Sequence, residues 1–137
     1  SNSYIKGKMK DCSELGIKTV LHKFNESVSL SEFYDDVSKT ALLGKSVIIQ
    51  KPTPEYINPE QIIGEVCLPY QDVDGMHYNR YNPCTPTGIM NWLKYNEIDL
   101  TGLRVVIIGR SDLVGKPLAK MMMEANATVT LCHSKTP

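Results

Sequence analysis

Tyr4 and Lys8 stand four residues apart in a stretch of helix formers, a spacing that puts a phenol and an amine on one helix face, where both can meet around a common point. The same pair is frequent on plain surface helices, so spacing alone leaves both readings open. Gln50 closes the apolar run Ser46-Val-Ile-Ile-Gln50, at the strand end where parallel sheets place their ligands. Asp72 and Asp74 flank a valine ahead of Gly75. Alternate acids in a turn commonly cap backbone groups, and metal binding fits less well, because an EF-hand loop needs further oxygen donors and a distant glutamate. His22, His77 and His133 show no ligand spacing, and Cys12, Cys67, Cys84 and Cys132 form no C-x-x-C pair, so no metal site is expected.

A second set of candidates lies in Arg104-Val-Val-Ile-Ile-Gly-Arg-Ser-Asp-Leu-Val-Gly-Lys-Pro117. The apolar run Val105 to Ile108 breaks at Gly109 and gives way to an amphipathic stretch with Leu118, Met121, Met122 and Ala125, which reads as strand, tight turn and helix. Pro117 suits the first helical turn. Such a turn aims the N–H groups of the incoming helix at the space beyond the strand, where they and the helix dipole can hold a phosphate. It is not the G-x-G-x-x-G fingerprint, and an ordinary connection would look similar. The next β-branched run, Ala127 to Cys132, ends in His133-Ser134-Lys135 and carries no acid. An NAD site places an acid there for the free ribose hydroxyl; Ser134, Lys135 and Arg110 would suit a ribose phosphate, so NADP is expected over NAD. Read structurally instead, Lys135 and Arg110 are solvated surface charges.

These residues need a scaffold, and the pattern supplies an α/β one: lobes of parallel sheet with packed helices, the second lobe a partial Rossmann-like domain. A helix runs from Asn2 to about Leu15 with Gly16 as its C-cap; Ile17 to Phe24 reads as a strand. Ser29-Leu-Ser-Glu32 resembles a capping box for a helix with Leu30, Phe33, Tyr34 and Val37 along one face. After the strand Ser46–Gln50, prolines 52 and 54 force the chain off the sheet as an extended segment. Asn58 and Pro59 open a short helix. Loop chemistry then flanks a Tyr/Asn-rich link, and Thr85 or Thr87 is expected to cap a helix through Ile89, Met90, Trp92, Leu93 and Tyr95. The lobe boundary is placed near Cys84, giving residues 1–84 and 85–137.

The totals narrow the function. Fifteen basic and fifteen acidic residues among 137 argue against a nucleic-acid scaffold or a polybasic membrane contact. No apolar run approaches the ~20 residues of a membrane span. The amino-terminal stretch has no signal-peptide core, and the scattered cysteines read as reduced thiols, so a cytoplasmic location is expected. Tyr-x-x-x-Lys also occurs in short-chain dehydrogenases, but there the pair follows the dinucleotide-binding strands, whereas here it precedes the glycine turn by roughly a hundred residues.

In order along the chain, Tyr4-x-x-x-Lys8, Val47-Ile-Ile-Gln-x-Pro-x-Pro54, Asp72-Val-Asp-Gly75, Pro83-Cys-Thr-Pro-x-Gly88, Gly109-Arg-Ser-x-x-Val-Gly-x-Pro117 and Thr128-Val-Thr-x-Cys-His-Ser-Lys-Thr136 resemble the methylenetetrahydrofolate dehydrogenase/cyclohydrolase family. The resemblance covers essentially the whole chain. It implies a two-lobed α/β enzyme, usually a homodimer, that binds tetrahydrofolate derivatives between a catalytic lobe and a Rossmann-like NADP lobe. At matching positions it implies Lys8 as the catalytic lysine, Tyr4 as a folate contact, Gln50 as the group that positions the lysine and Asp74 as the acid that hydrogen-bonds the pterin. Gly109, Arg110, Ser111 and Ser134 match the cofactor-binding positions.

The departures from the family are specific. Lys51 and Thr53 stand where leucines are common, Gln71 stands where a lysine usually precedes Asp-Val-Asp-Gly, and the segment from Gly75 to Pro83 is shorter. The family's first βα segment and its later Rossmann strands have no counterpart, so the match is expected to be shortened at both ends. Two alternatives follow: a reduced homologue with cyclohydrolase or ligand-binding activity only, and a non-catalytic dimerising module.

Overall fold

The computed structural model describes residues 2–77 and 80–137. Residues 78 and 79, in the Tyr/Asn-rich link, lie outside the described residues. Helix α1 (Asn2–Glu14) stops where expected, because Gly16 takes φ +71°, a conformation that only glycine adopts without strain. Helix α2 (Leu30–Leu42) begins at Ser29, whose Oγ accepts the Glu32 N–H at 3.1 Å. It buries Phe33, Val37 and Ala41, while Leu30 stays exposed. Helix α3 (Pro59–Val66) begins in the same way: Asn58 Oδ1 accepts the Gln61 N–H at 3.1 Å. Ile62 and Ile63 of α3 meet the buried face of α2 together with Val28, Ile49, Ile57, Cys67 and Met76. This is the first core.

The strand expected over Ile17 to Phe24 does not form: the segment has no ladder, and Val20 is 71% exposed. β-branched residues favour a strand only when a neighbour offers backbone partners, and none pairs with this stretch among the described residues. It is held instead by side chains. Phe24 packs on Phe33 with ring centroids 5.0 Å apart, and His22 Nδ1 meets Asp36 Oδ2 at 2.7 Å. The expected strand Ser46–Gln50 contracts to one parallel bridge between Val47 and Asp72, closed by the Val47 N–H on Gln71 O at 2.8 Å.

The second core shows the full βαβ pattern. Strand β1 (Arg104–Ile108) pairs in parallel with β2 (Thr128–Cys132), Arg104 opposite Thr128 and Ile108 opposite Cys132. Helix α5 (Gly115–Glu124) makes the crossover and buries Leu118, Ala119 and Met122 against Leu100 and Ile107. Helix α4 (Cys84–Tyr95) adds Ile89, Met90 and Leu93 to that cluster. Neither Thr85 nor Thr87 caps α4: its N-cap is Pro83, without a side-chain bond, and the Thr87 hydroxyl donates back to Pro83 O at 2.9 Å. The α/β architecture of parallel sheet and packed helices is thus present, with its regular ladder in the second half of the chain. One sheet face is open: Val106 is 62% and Ile108 90% exposed.

Candidate functional site

The turn that carries Asp74 is organised by its neighbour. Asp72 is buried, and its carboxylate accepts the Met76 N–H at 3.0 Å and the His77 N–H at 2.8 Å. Its two oxygens replace the backbone partners that a tight turn lacks. Gly75 takes φ +67°, and a Cβ there would come within 2.5 Å of Tyr81 O, so the chain after the link crosses directly over it. With Asp72 turned inward, Asp74 is only partly buried and faces α1, where Lys8 Nζ lies 3.9 Å from Asp74 Oδ1. Two of the expected site residues, from segments far apart in the chain, therefore meet.

Tyr4 lies one helical turn before Lys8 on α1 and is 71% exposed. Gln50 does not bond to Lys8: its Nε2 donates to Lys51 O at 3.0 Å, and its Oε1 is buried with no hydrogen-bond partner among the described residues. A buried amide oxygen left open costs on the order of 1–3 kcal/mol, so this acceptor is a candidate for a ligand or lysine donor.

Gln71, where sequence reasoning saw only a departure, is 1% exposed. Its Nε2 donates to Ala41 O at 2.7 Å and Lys45 O at 3.0 Å, and its Oε1 accepts the Leu68 N–H at 2.8 Å. It ties the end of α2 and the chain after α3 to the start of the acidic turn. Nothing in a lone glutamine beside Asp72 signals this. Lys51, another of the departures, pairs with Glu60 of α3.

At the carboxyl end of the parallel sheet, Gly109 takes φ +119° and its N–H extends the ladder to Cys132 O at 2.8 Å. The glycine turn and the His133-Ser134 turn are therefore neighbours. Ser111 Oγ accepts the Gly115 N–H at 3.3 Å and Ser111 O accepts the Lys116 N–H at 3.1 Å, which shapes the entry to α5. Gly115 was not among the expected site residues, yet a Cβ there would sit 2.1 Å from Gly109 O. The signal was available: a second glycine six residues after the first, at the start of a helix. Arg110 and Ser134 are exposed beside this turn. The second turn is held by Thr136 Oγ1, which accepts the His133 N–H at 2.9 Å, and by His133 Nδ1, which accepts the Lys135 N–H at 3.1 Å.

Among the described residues, no group of three His, Cys, Asp or Glu side chains could hold a metal ion, and no helix is long and apolar enough to cross a membrane.

A parallel βαβ unit with a glycine turn at the carboxyl end of its first strand defines an α/β protein of the dinucleotide-binding kind. Residues 83–137 match the family model of the tetrahydrofolate dehydrogenase/cyclohydrolase NAD(P)-binding domain. Over 99% of its length the chain is 37% identical to the bifunctional protein FolD of Bacillus cytotoxicus, of which it covers 51%. The crystal structure of the bifunctional FolD enzyme from Campylobacter jejuni superposes with a TM-score of 0.87 at 36% identity, covering 98% of this chain and 52% of that one. The Trypanosoma brucei enzyme, solved with NADP cofactor and inhibitor, gives 0.84 at 26% identity, with 99% and 50% covered. Over its whole length the chain is similar to enzymes of the tetrahydrofolate dehydrogenase/cyclohydrolase family, and it spans about half the length of the curated relatives it matches.

Proposed function

We propose that this chain oxidises methylenetetrahydrofolate to the methenyl form with NADP and hydrolyses the product to formyltetrahydrofolate. The observation that carries the reading is the meeting of Lys8 and Asp74 at 3.9 Å, an amine and a carboxylate in positions matching those the family uses on folate. Asp74 accepts N–H groups of the pterin, and Tyr4, one turn along α1, lies against the ligand's ring system. As the ligand's donors occupy the Asp74 oxygens, the carboxylate's hold on Lys8 weakens. Beside the methenyl carbon, the Lys8 amine is placed to relay the proton released as water forms the C–O bond to the ring nitrogen that is freed as the C–N bond breaks. Gln50, an uncharged acceptor, orients that amine through its open Oε1.

The residues of the second site suit NADP. Gly109 and Gly115 bring bare backbone together at the entry to α5, and Arg110, Ser134 and Lys135 supply a cation, a hydroxyl and a second cation with no acid among them. When bound, NADP supplies the hydride acceptor; the protein's part in that step is orientation. The division into a folate lobe, 1–84, and a cofactor lobe, 85–137, the homodimer and the cytoplasmic setting belong to this proposal. Formation of NADPH by the chain given methylenetetrahydrofolate and NADP tests it. A folded chain that binds folate but never reduces NADP would favour the cyclohydrolase-only reading, and failure to bind folate would leave the dimerising module.

A further inference from the structure

The turn between β1 and α5 reaches across to the other core. Leu113 is half-buried and packs against the first cluster, built from α2, α3 and the residues around them, although the helix it leads into belongs to the second. Beside it, Asp112 borders an open cleft of about 730 Å³ whose opposite wall includes Lys51, Thr53, Pro54, Asn58 and Glu60. The base of the turn is stiff. Gly115 lies so close to Gly109 O that a Cβ would approach to 2.1 Å, Ser111 is bonded to the N–H groups of Gly115 and Lys116, and Asp112 pairs with Lys116 at 2.5 Å. A stiff loop held at its tip transmits the position of that tip to Arg110 and Ser111.

We propose that Leu113 is a positioning residue which, by seating on the first core, sets the separation between the glycine turn and the Lys8–Asp74 site. The proposal rests on the function given above. Hydride transfer requires two ligands on different cores to be aligned, and a misplacement of ~1 Å can cost about 100-fold in rate. Proton transfer at Lys8 requires only the first core. Leu113 therefore acts on the dehydrogenase step and leaves the cyclohydrolase step alone.

The test uses the 137-residue chain with Leu113→Ala and Leu113→Met. In amide hydrogen exchange without ligands, Leu113→Ala is expected to speed exchange about 10-fold both in residues 110–116 and across the cleft in residues 49–63, with Leu113→Met restoring protection. Unchanged exchange in 49–63 would overturn the seating, whatever the activity. In kinetics, Leu113→Ala is expected to lower dehydrogenase kcat about 10-fold or more, while KM for NADP and cyclohydrolase turnover stay within about two-fold. Equal losses in both activities would reduce Leu113 to a stabilising contact and overturn the proposal. An unmutated chain inactive in both assays would sink the functional reading and the catalytic half of the proposal with it, and the exchange result would still decide the seating.

Discussion

Three backbone groups from two segments end on the side chain of Gln71, and replacing it with leucine leaves the part-buried Lys45 O and Leu68 N–H without partners, while Ala41 O keeps the Gly44 N–H. Gln71→Leu should therefore cost about 3 kcal/mol, read as a lower urea midpoint with an unchanged m-value. Lys8→Met keeps the aliphatic stem and removes the amine, so the protein should fold and lose cyclohydrolase turnover; retained turnover would remove Lys8 from the chemistry. Cys67 provides a pH test. Burial first, and the Asp72 carboxylate second, push its thiol from 9.0 up to about 11. The folded state holds this proton more tightly than the unfolded chain, so the contribution to stability is complete below pH 9 and disappears as pH rises toward 11. Cys67→Ala should flatten that alkaline decline in urea titrations; an unchanged slope would assign it to other groups. At this scale the sequence was partly legible. The capping role of Asp72 followed from turn chemistry, but the role of Gln71 depends on carbonyls at Ala41 and Lys45 that only the fold brings near.

At the scale of elements, most signals carried by a residue and its immediate neighbours were readable, the cap expected of Thr85 or Thr87 being an exception, and those needing a distant partner were read less well. Ser29, Asn58 and Gly16 act where their types demanded, because a cap is satisfied within one turn. Ile17–Phe24 has strand composition but no ladder partner, and Ser46–Gln50 has one bridge, because pairing is a property of two segments. Strands β1 and β2 succeed because α5 carries the chain back to pair in register over five residues. In the glycine turn joining β1 to α5, an added Cβ at Gly115 makes the shortest approach of any glycine in the chain. Gly115→Ala places a methyl group against Gly109 O and must open the turn. It should weaken NADP binding about 10-fold or more while leaving the proposed folate binding near Lys8 and Asp74 intact, measured by separate titrations; tight NADP binding by the variant would show that the turn does not hold the cofactor.

At the scale of the molecule, two small cores share one chain, and small cores bury a low fraction of their surface. A parallel sheet normally has both faces covered, whereas Val106 and Ile108 here face outward. The proposed homodimer predicts twice the chain mass in sedimentation equilibrium, and a monomer at every concentration would contradict it. The central claim is that the two cores together form one bifunctional enzyme. It is tested most directly by NADPH absorbance after mixing the folded chain with methylenetetrahydrofolate and NADP, alongside Gly115→Ala. The account predicts NADPH formation by the unmutated chain and its loss in Gly115→Ala. A folded chain that binds both ligands and forms no NADPH, or a Gly115→Ala variant as active as its parent, would contradict it.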